Sequence, residues 1–196
     1  MRKITLLFLI SHTLLYSQKP TSWGLGAGYI QSQIIGDNYK GFYKQGFKIG
    51  AFSQLQLSKT ANLQLELMFI NKGCSDKRDK SYDYRYYSYF DILYYVEVPI
   101  VFQYNYKKFF FEGGPGLGIL IWDLDFESNN VKYLSNPPKF VETSFNLGFG
   151  YTYSERLNID LKYCNSITPI RREPTSQYNS VISLSLYCKL LEKNNH

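Results

Sequence analysis

The segment that decides the fold is residues 61–73, which reads ANLQLELMFINKG. Leu63, Leu65 and Leu67 alternate in it with Gln64 and Glu66. Successive side chains of a β-strand point to opposite faces, so this pattern predicts a strand with one apolar and one polar face. An ionisable side chain is costly in an apolar environment, so we expect the polar face to point into water or into a polar lumen.

Seven further segments with the same period extend this pattern along the whole chain. The eight predicted strands are residues 23–33, 46–57, 61–73, 92–104, 109–121, 141–153, 157–164 and 181–190. Long connections follow the first, third, fifth and seventh strands, and short turns follow the second, fourth and sixth. This alternation is typical of an all-β, eight-stranded antiparallel up-and-down transmembrane β-barrel, with long loops outside the cell and short turns in the periplasm.

A soluble, secreted lipocalin-like barrel that binds a small apolar ligand would show the same period of two, with the faces inverted. Strand length, the alternation of long and short connections, and aromatic residues near the strand ends favour the membrane barrel. We predict that these aromatic rings lie at headgroup depth: Tyr94, Tyr95, Tyr104, Tyr106, Phe109, Phe110, Phe111, Tyr151, Tyr153, Tyr163 and Tyr187.

The N-terminal segment, MRKITLLFLISHTLLYS, has a basic start, a short apolar run and a small residue before a polar one. These are the features of a secretory signal peptide, and the apolar run is too short to span a bilayer. We therefore predict a cleaved signal peptide at residues 1–17, a barrel domain at residues 18–196, and an integral position in the cell outer membrane.

Charged residues in mid-strand on the polar faces predict what fills the barrel. An eight-stranded barrel has an interior just wide enough to be filled by side chains, so a diffusion pore is not expected. We predict a charge network across the lumen that holds the barrel together, formed by Lys48, Glu66, Glu97, Glu112, Asp160 and Lys162.

Composition argues against several classes of function. The two histidines, His12 and His196, lie in the predicted leader and at the last position, so we predict no catalytic residues and no enzyme. The cysteines lack metal-ligand spacing and are expected to be free, buried thiols, and neither a metal nor another cofactor is predicted. The charges are mixed in sign with no basic stripe, which disfavours nucleic-acid binding.

The connection at residues 74–91 (CSDKRDKSYDYRYYSYFD) is the candidate partner-contact loop. Tyrosine offers a large contact area at low entropic cost, and mixed charge adds specificity. The alternative is a solvated loop whose tyrosines extend the two flanking strands. If it binds an extracellular or outer-membrane protein, the contact residues are Tyr82, Tyr84, Arg85, Tyr86, Tyr87 and Tyr89.

Several stretches, in the right order, resemble the PorT-type outer-membrane β-barrel family of secretory Gram-negative bacteria. The matching pieces are GFKIGAF (46–52), LQLELMFINKG (63–73), YYVEVPI (94–100), FFEGGPGLG (110–118) and FNLGFGY (145–151). The resemblance implies an eight-stranded barrel in contact with outer-membrane lipid. It leaves the oligomeric state open, and because a few members of the family are implicated in protein secretion, it implies an accessory role in that process.

Overall fold

The computed structural model describes residues 22–37, 41–75, 89–127, 130–131, 137–172 and 175–192. The predicted signal peptide and parts of all four long loops lie outside these residues. In the described part of the chain, no helix has the length and apolar character needed to cross a membrane.

The described chain is built from β-strands. They are β1 (Ser22–Ile35), β2 (Lys44–Gln56), β3 (Ala61–Ser75), β4 (Tyr89–Tyr106), β5 (Phe109–Glu127), the two-residue β6 (Asn130–Val131), β7 (Val141–Thr152), β8 (Leu157–Ser166) and β9 (Tyr178–Glu192).

The sheet closes on itself. Consecutive long strands pair antiparallel around the sheet, β4 pairs with β5, and β1 pairs with β9 to complete the circle. β6 only extends the pairing of β5 beyond the barrel wall. The prediction of a closed, eight-stranded antiparallel barrel is therefore confirmed.

Two strands, β4 and β5, extend further toward the long loops than predicted. β4 begins at Tyr89 rather than at residue 92, and β5 continues to Glu127 rather than ending at residue 121. The two extensions pair with each other, Tyr89 opposite Glu127. The alternation of apolar and polar residues fades there, whereas backbone pairing needs no apolar face.

The two faces of the wall differ sharply in polarity. Large apolar side chains remain exposed on the outside, as Leu67 (56%) and Leu147 (55%) show, while Glu66 (1%) and Lys162 (3%) are buried inside. A lipocalin-like binder requires the opposite arrangement, so that alternative is not favoured.

Three of the aromatic residues predicted at headgroup depth lie elsewhere. Tyr95, Phe110 and Tyr187 are buried inside the barrel. Each occupies an inward position of its strand, next to outward residues such as Val96 and Phe111. The side of the pleat, and not the distance from the strand end, decides where these rings lie.

The lumen near the long loops contains an apolar layer at the level of the buried Lys72, which lies between Ile70 and Cys74 on β3. Its buried members are Ile30, Ile34, Ile70, Cys74, Leu93, Tyr95, Leu120, Ile170 and Val181. A smaller apolar group near the short turns consists of Phe52, Met68 and Tyr187.

The three cysteines are free, but only Cys74 is fully buried. Cys164 is half-buried and Cys188 is exposed on the outer face, so the prediction of buried thiols is wrong for Cys188. In the pairing of β8 with β9, Cys164 faces Val181 and Cys188 faces Leu157, at opposite ends of the strand pair.

Candidate functional site

The half of the lumen nearer the short turns holds one lysine among three carboxylates. Lys162 Nζ on β8 lies 2.7 Å from Glu66 Oε1, 2.9 Å from Glu112 Oε1 and 3.5 Å from Asp160 Oδ2. Tyr187 on β9 donates its hydroxyl to Glu66 at 3.0 Å. We call these five residues the turn-side cluster. They come from β3, β5, β8 and β9, so the cluster ties together strands from both sides of the barrel.

Amide side chains connect the turn-side cluster to β2 and β4. Gln54 Nε2 on β2 donates to Gln103 Oε1 at 2.6 Å, and Gln103 Nε2 on β4 donates to Glu112 Oε2 at 2.9 Å. Gln64 Nε2 donates to Glu66 Oε1 at 2.9 Å. The bonds from Gln64 and Gln103 give Glu66 and Glu112 donors besides the lysine, as buried charges require, whereas Asp160 accepts no hydrogen bond within the described part of the chain.

A second charged group lies nearer the long loops. Lys72 Nζ on β3 lies 2.5 Å from Glu97 Oε1 on β4 and 3.0 Å from Glu142 on β7. Glu142 also accepts hydrogen bonds from Ser166 Oγ at 2.6 Å and Asn179 Nδ2 at 2.8 Å. We call these five residues the loop-side cluster. Lys72 is six residues beyond Glu66 on the same strand, about 20 Å along it at the usual rise.

A small cavity of about 20 Å³ separates the two clusters. Glu66 and Lys162 border it from one cluster and Glu97 from the other, together with the apolar Met68 and Val181. This volume is room for about one water molecule.

The connection that follows β8 folds into the mouth of the barrel at the long-loop end. Ile170 is fully buried in the apolar layer, and Arg171 pairs with Gln177 in an isolated β-bridge. Arg171 Nη1 lies 2.6 Å from Asp91 Oδ2, and both side chains are buried. The base of the 74–91 connection is therefore tied to another loop by a buried ion pair.

A further bond links this inserted connection to the one between β1 and β2. Thr175 Oγ1 donates to the carbonyl oxygen of Gly36 at 2.6 Å. Gly36 has a φ of +94°, and a Cβ there would lie 2.3 Å from the carbonyl oxygen of Ser176. This close approach of two loop backbones requires glycine.

The structure places the six predicted lumen residues as follows. Glu66, Glu112, Asp160 and Lys162 meet in the turn-side cluster, whereas Glu97 is contacted by Lys72. Lys48 Nζ donates to the hydroxyl of Tyr187 at 3.4 Å and reaches the cluster through that ring.

Sequence reasoning did not place Lys72, Glu142, Asp91 or Arg171 in a network. Lys72 could have been identified from the sequence, because it continues the even-numbered polar face of Gln64 and Glu66 on β3. Arg171 carries no such signal, because it lies in a loop with no period. Of the predicted contact residues, 82–87 lie outside the described part, and Tyr89 is described only by its backbone, as the first residue of β4.

Replacing Arg171 with glutamine is expected to loosen the inserted connection without unfolding the barrel. The change leaves the buried carboxylate of Asp91 without its cation, and opening the loop lets water reach that carboxylate. We expect trypsin to cleave the folded protein after the exposed Arg172 about tenfold faster, which corresponds to about 1.4 kcal/mol of easier local opening.

The control for this measurement is Lys139→Gln, which removes one charge from the same end of the barrel outside the Asp91 ion pair. Cleavage at an unchanged rate in Arg171→Gln would show that the ion pair does not hold the connection in the mouth.

An apolar outer wall, a lumen of paired charges, and long loops at one end define the class of an outer-membrane β-barrel protein. The family follows from sequence: residues 16–172 match the model described as outer membrane protein beta-barrel domain, and the chain belongs to that family. A comparison with curated proteins finds no match.

Several solved structures share the fold. Ail, the attachment invasion locus protein of Yersinia pestis, superimposes with a TM-score of 0.52 at 12% identity over 88% of this chain and 100% of its own. Neisserial surface protein A superimposes with a TM-score of 0.57 at 9% identity over 86% and 97% of the two chains. Ail has also been solved in complex with the heparin analogue sucrose octasulfate, at 14% identity and a TM-score of 0.52.

Proposed function

We propose that this outer-membrane barrel is an interaction protein, in which a filled lumen stabilises the wall and the long loops bind a protein partner. The contact loop is residues 74–91, with Tyr82, Tyr84, Arg85, Tyr86, Tyr87 and Tyr89 as its contact residues. The protein works by presenting this surface rather than by catalysis or by passing solutes.

The observation that carries the proposal is the closed mouth. Ile170 and the Asp91–Arg171 ion pair occupy the lumen under the long loops, and the cavity between the clusters has room for about one water molecule. A solute would have to displace buried ion pairs, which is strongly unfavourable. The surface left to meet partners at this end is that of the loops.

The base of the proposed contact loop is well anchored. Cys74 and Ser75 are buried and pair with Asp91 and Phe90, and Asp91 is fixed by Arg171. Anchoring at both ends reduces the conformational entropy that a loop loses on binding, so a tyrosine-rich segment held in this way favours tight contact.

The charge of the long loops favours a protein as the binding partner over a sulfated polysaccharide such as heparin, whose analogue sucrose octasulfate is bound in the Ail complex. The long loops and the strand ends that adjoin them, residues 36–44, 74–91, 122–140 and 167–177, carry ten basic and nine acidic residues. A polyanion is bound by an excess of cationic side chains, whereas tyrosines with balanced charge are typical of protein–protein contacts.

A finer form of the proposal is an accessory of protein secretion. Its support is the resemblance to the PorT-type family, and the partner would then be a subunit or a substrate of a secretion machine. In this proposal the protein is located in the outer membrane and is exported by a cleaved signal peptide at residues 1–17.

Replacing Tyr82, Tyr84, Tyr86 and Tyr87 with serine is expected to abolish partner binding while leaving the barrel folded. The measurement is cross-linking in the native host from a photoreactive residue placed at position 85, followed by identification of the linked protein. We expect the cross-linked species to fall at least tenfold, because truncated aromatic anchors each cost more than 1 kcal/mol at protein interfaces.

The matched control replaces Tyr39, Tyr43 and Tyr133 of the other long connections and Tyr178, the first residue of β9, with serine and should retain the cross-link. If the Tyr82–Tyr87 variant keeps the same cross-linked protein at wild-type yield, the 74–91 loop is not the contact surface.

A further inference from the structure

The short-turn end of the barrel carries a continuous basic rim, which we define as residues 58–60, 105–108, 154–156 and Lys189. Backbone hydrogen bonds link these segments in order around the edge. Asn105 N donates to Thr60 O at 2.7 Å, Thr152 N to Lys108 O at 2.8 Å, and Lys189 N to Arg156 O at 2.8 Å. Segments far apart in sequence therefore form one surface.

Charge on this rim is strongly one-sided. The three turns expose the cations Lys59, Lys107, Lys108 and Arg156 against a single carboxylate, Glu155. The long loops, in contrast, carry nearly balanced charge. The rim thus presents a local excess of positive charge that the sequence, read linearly, divides among separate turns.

The basic rim adjoins the aromatic end of the apolar wall. Tyr106 and Phe109 flank the two lysines of the middle turn and are each more than half exposed, as is Tyr153 just before the next turn. Lys107 Nζ lies 5.5 Å from the centre of the Tyr106 ring, so one cation is held directly over a girdle residue. Aromatic girdles mark the level of lipid headgroups, so the cations sit at or just beyond that level.

We infer that the basic rim binds the phosphate groups of anionic phospholipids in the periplasmic leaflet of the outer membrane. The occupant follows from charge complementarity and from continuity with the lipid-facing wall, because headgroups at this depth already surround the rim. Each cation near an anionic surface strengthens binding, and the effect decays within a Debye length. This inference goes beyond the proposed loop function and does not depend on it.

The test measures lipid selectivity of the refolded full-length protein in phosphatidylcholine vesicles. Spin-labelled phosphatidylglycerol and spin-labelled phosphatidylcholine are compared by the fraction of each that is motionally restricted at the protein surface. The rim variant combines Lys59→Gln, Lys108→Gln and Arg156→Gln. Lys107 stays in place because its ammonium group lies over the Tyr106 ring, so replacing it would also disturb a residue of the aromatic girdle. The charge-matched control combines Lys77→Gln, Lys139→Gln and Arg172→Gln in the long loops.

We expect the wild-type protein to prefer phosphatidylglycerol by about three- to fivefold at low salt, and to lose the preference in 0.5 M sodium chloride or in the rim variant. The control should keep the wild-type preference. Equal association of the two lipids with the wild-type protein, an undiminished preference in the rim variant, or an equal loss in the control would each overturn the inference. Heat-modifiable electrophoretic mobility, the difference in migration between unheated and heated samples, confirms that each variant is folded. Loss of the partner cross-link would not affect the measurement of lipid selectivity.

Discussion

Replacing Lys162 with methionine is expected to lower the free energy of unfolding by about 3–5 kcal/mol, the range for removing one partner of a buried ion pair. Methionine fills a similar volume, so the loss reflects charge rather than a cavity. The substitution removes the lysine that contacts Glu66, Glu112 and Asp160. These three carboxylates are each at most 5% exposed.

Equilibrium unfolding in lipid vesicles, followed by tryptophan fluorescence, measures this loss. The two tryptophans lie on the outer face near opposite ends of the barrel, Trp23 46% and Trp122 63% exposed, so both report loss of lipid contact. The control is Arg172→Met, an exposed cation outside both clusters and the short-turn end, for which we expect a change below about 0.5 kcal/mol.

The charge balance of the turn-side cluster predicts an asymmetry that a simple packing role does not. Glu66→Gln should cost less than Lys162→Met, because Lys162 keeps Glu112 and Asp160 as partners. Adding Glu66→Gln to Lys162→Met should recover part of the lost stability, since one unpaired buried charge is removed. Additive losses in the double variant would mean that these residues stabilise the barrel without electrostatic coupling.

Replacing Lys72 with methionine is the second large effect that we expect, again about 3–5 kcal/mol in the same unfolding assay. Lys72 is fully buried and lies between Glu97 and Glu142, which come from β4 and β7. Its removal leaves two carboxylates facing each other in the lumen.

The two carboxylates of the loop-side cluster should differ in how well their neutralisation rescues this variant. Glu142 keeps hydrogen bonds from Ser166 and Asn179, whereas in the described part of the chain Glu97 has no other hydrogen-bond donor than Lys72. Glu97→Gln should therefore restore more stability to Lys72→Met than Glu142→Gln does. The reverse order would contradict this description of the cluster.

Most of the wall could be predicted because its physical cause is local. Lipid outside and a polar lumen inside force each strand to alternate, so Leu65 and Glu66 reveal the side of the wall on which they lie. Beyond the apolar wall, where no lipid requires this alternation, the prediction failed. The extensions of β4 and β5 there have mixed polarity and were not recognised as strands.

The partners inside the lumen were only partly predictable. The inward position of Glu97 follows from its neighbours, but its pairing with Lys72 rather than with Lys48 or Lys162 depends on the stagger between β3 and β4. Stagger is set by tilt and closure of the whole barrel, which no single strand encodes. Tyr187 illustrates the same point, because an aromatic residue near a strand end suits either the girdle or the lumen.

The sequence by itself determined the number of strands, the apolar face of each, and the end of the barrel at which the long loops lie, because all three follow from short-range alternation and connection length. Only the tertiary structure decided which charges meet in the two clusters, that Ile170 and Arg171 close the mouth, and that three separate turns and Lys189 form one basic rim. These features join residues distant along the chain, and they arise because closing the barrel fixes the height and direction of every side chain at once.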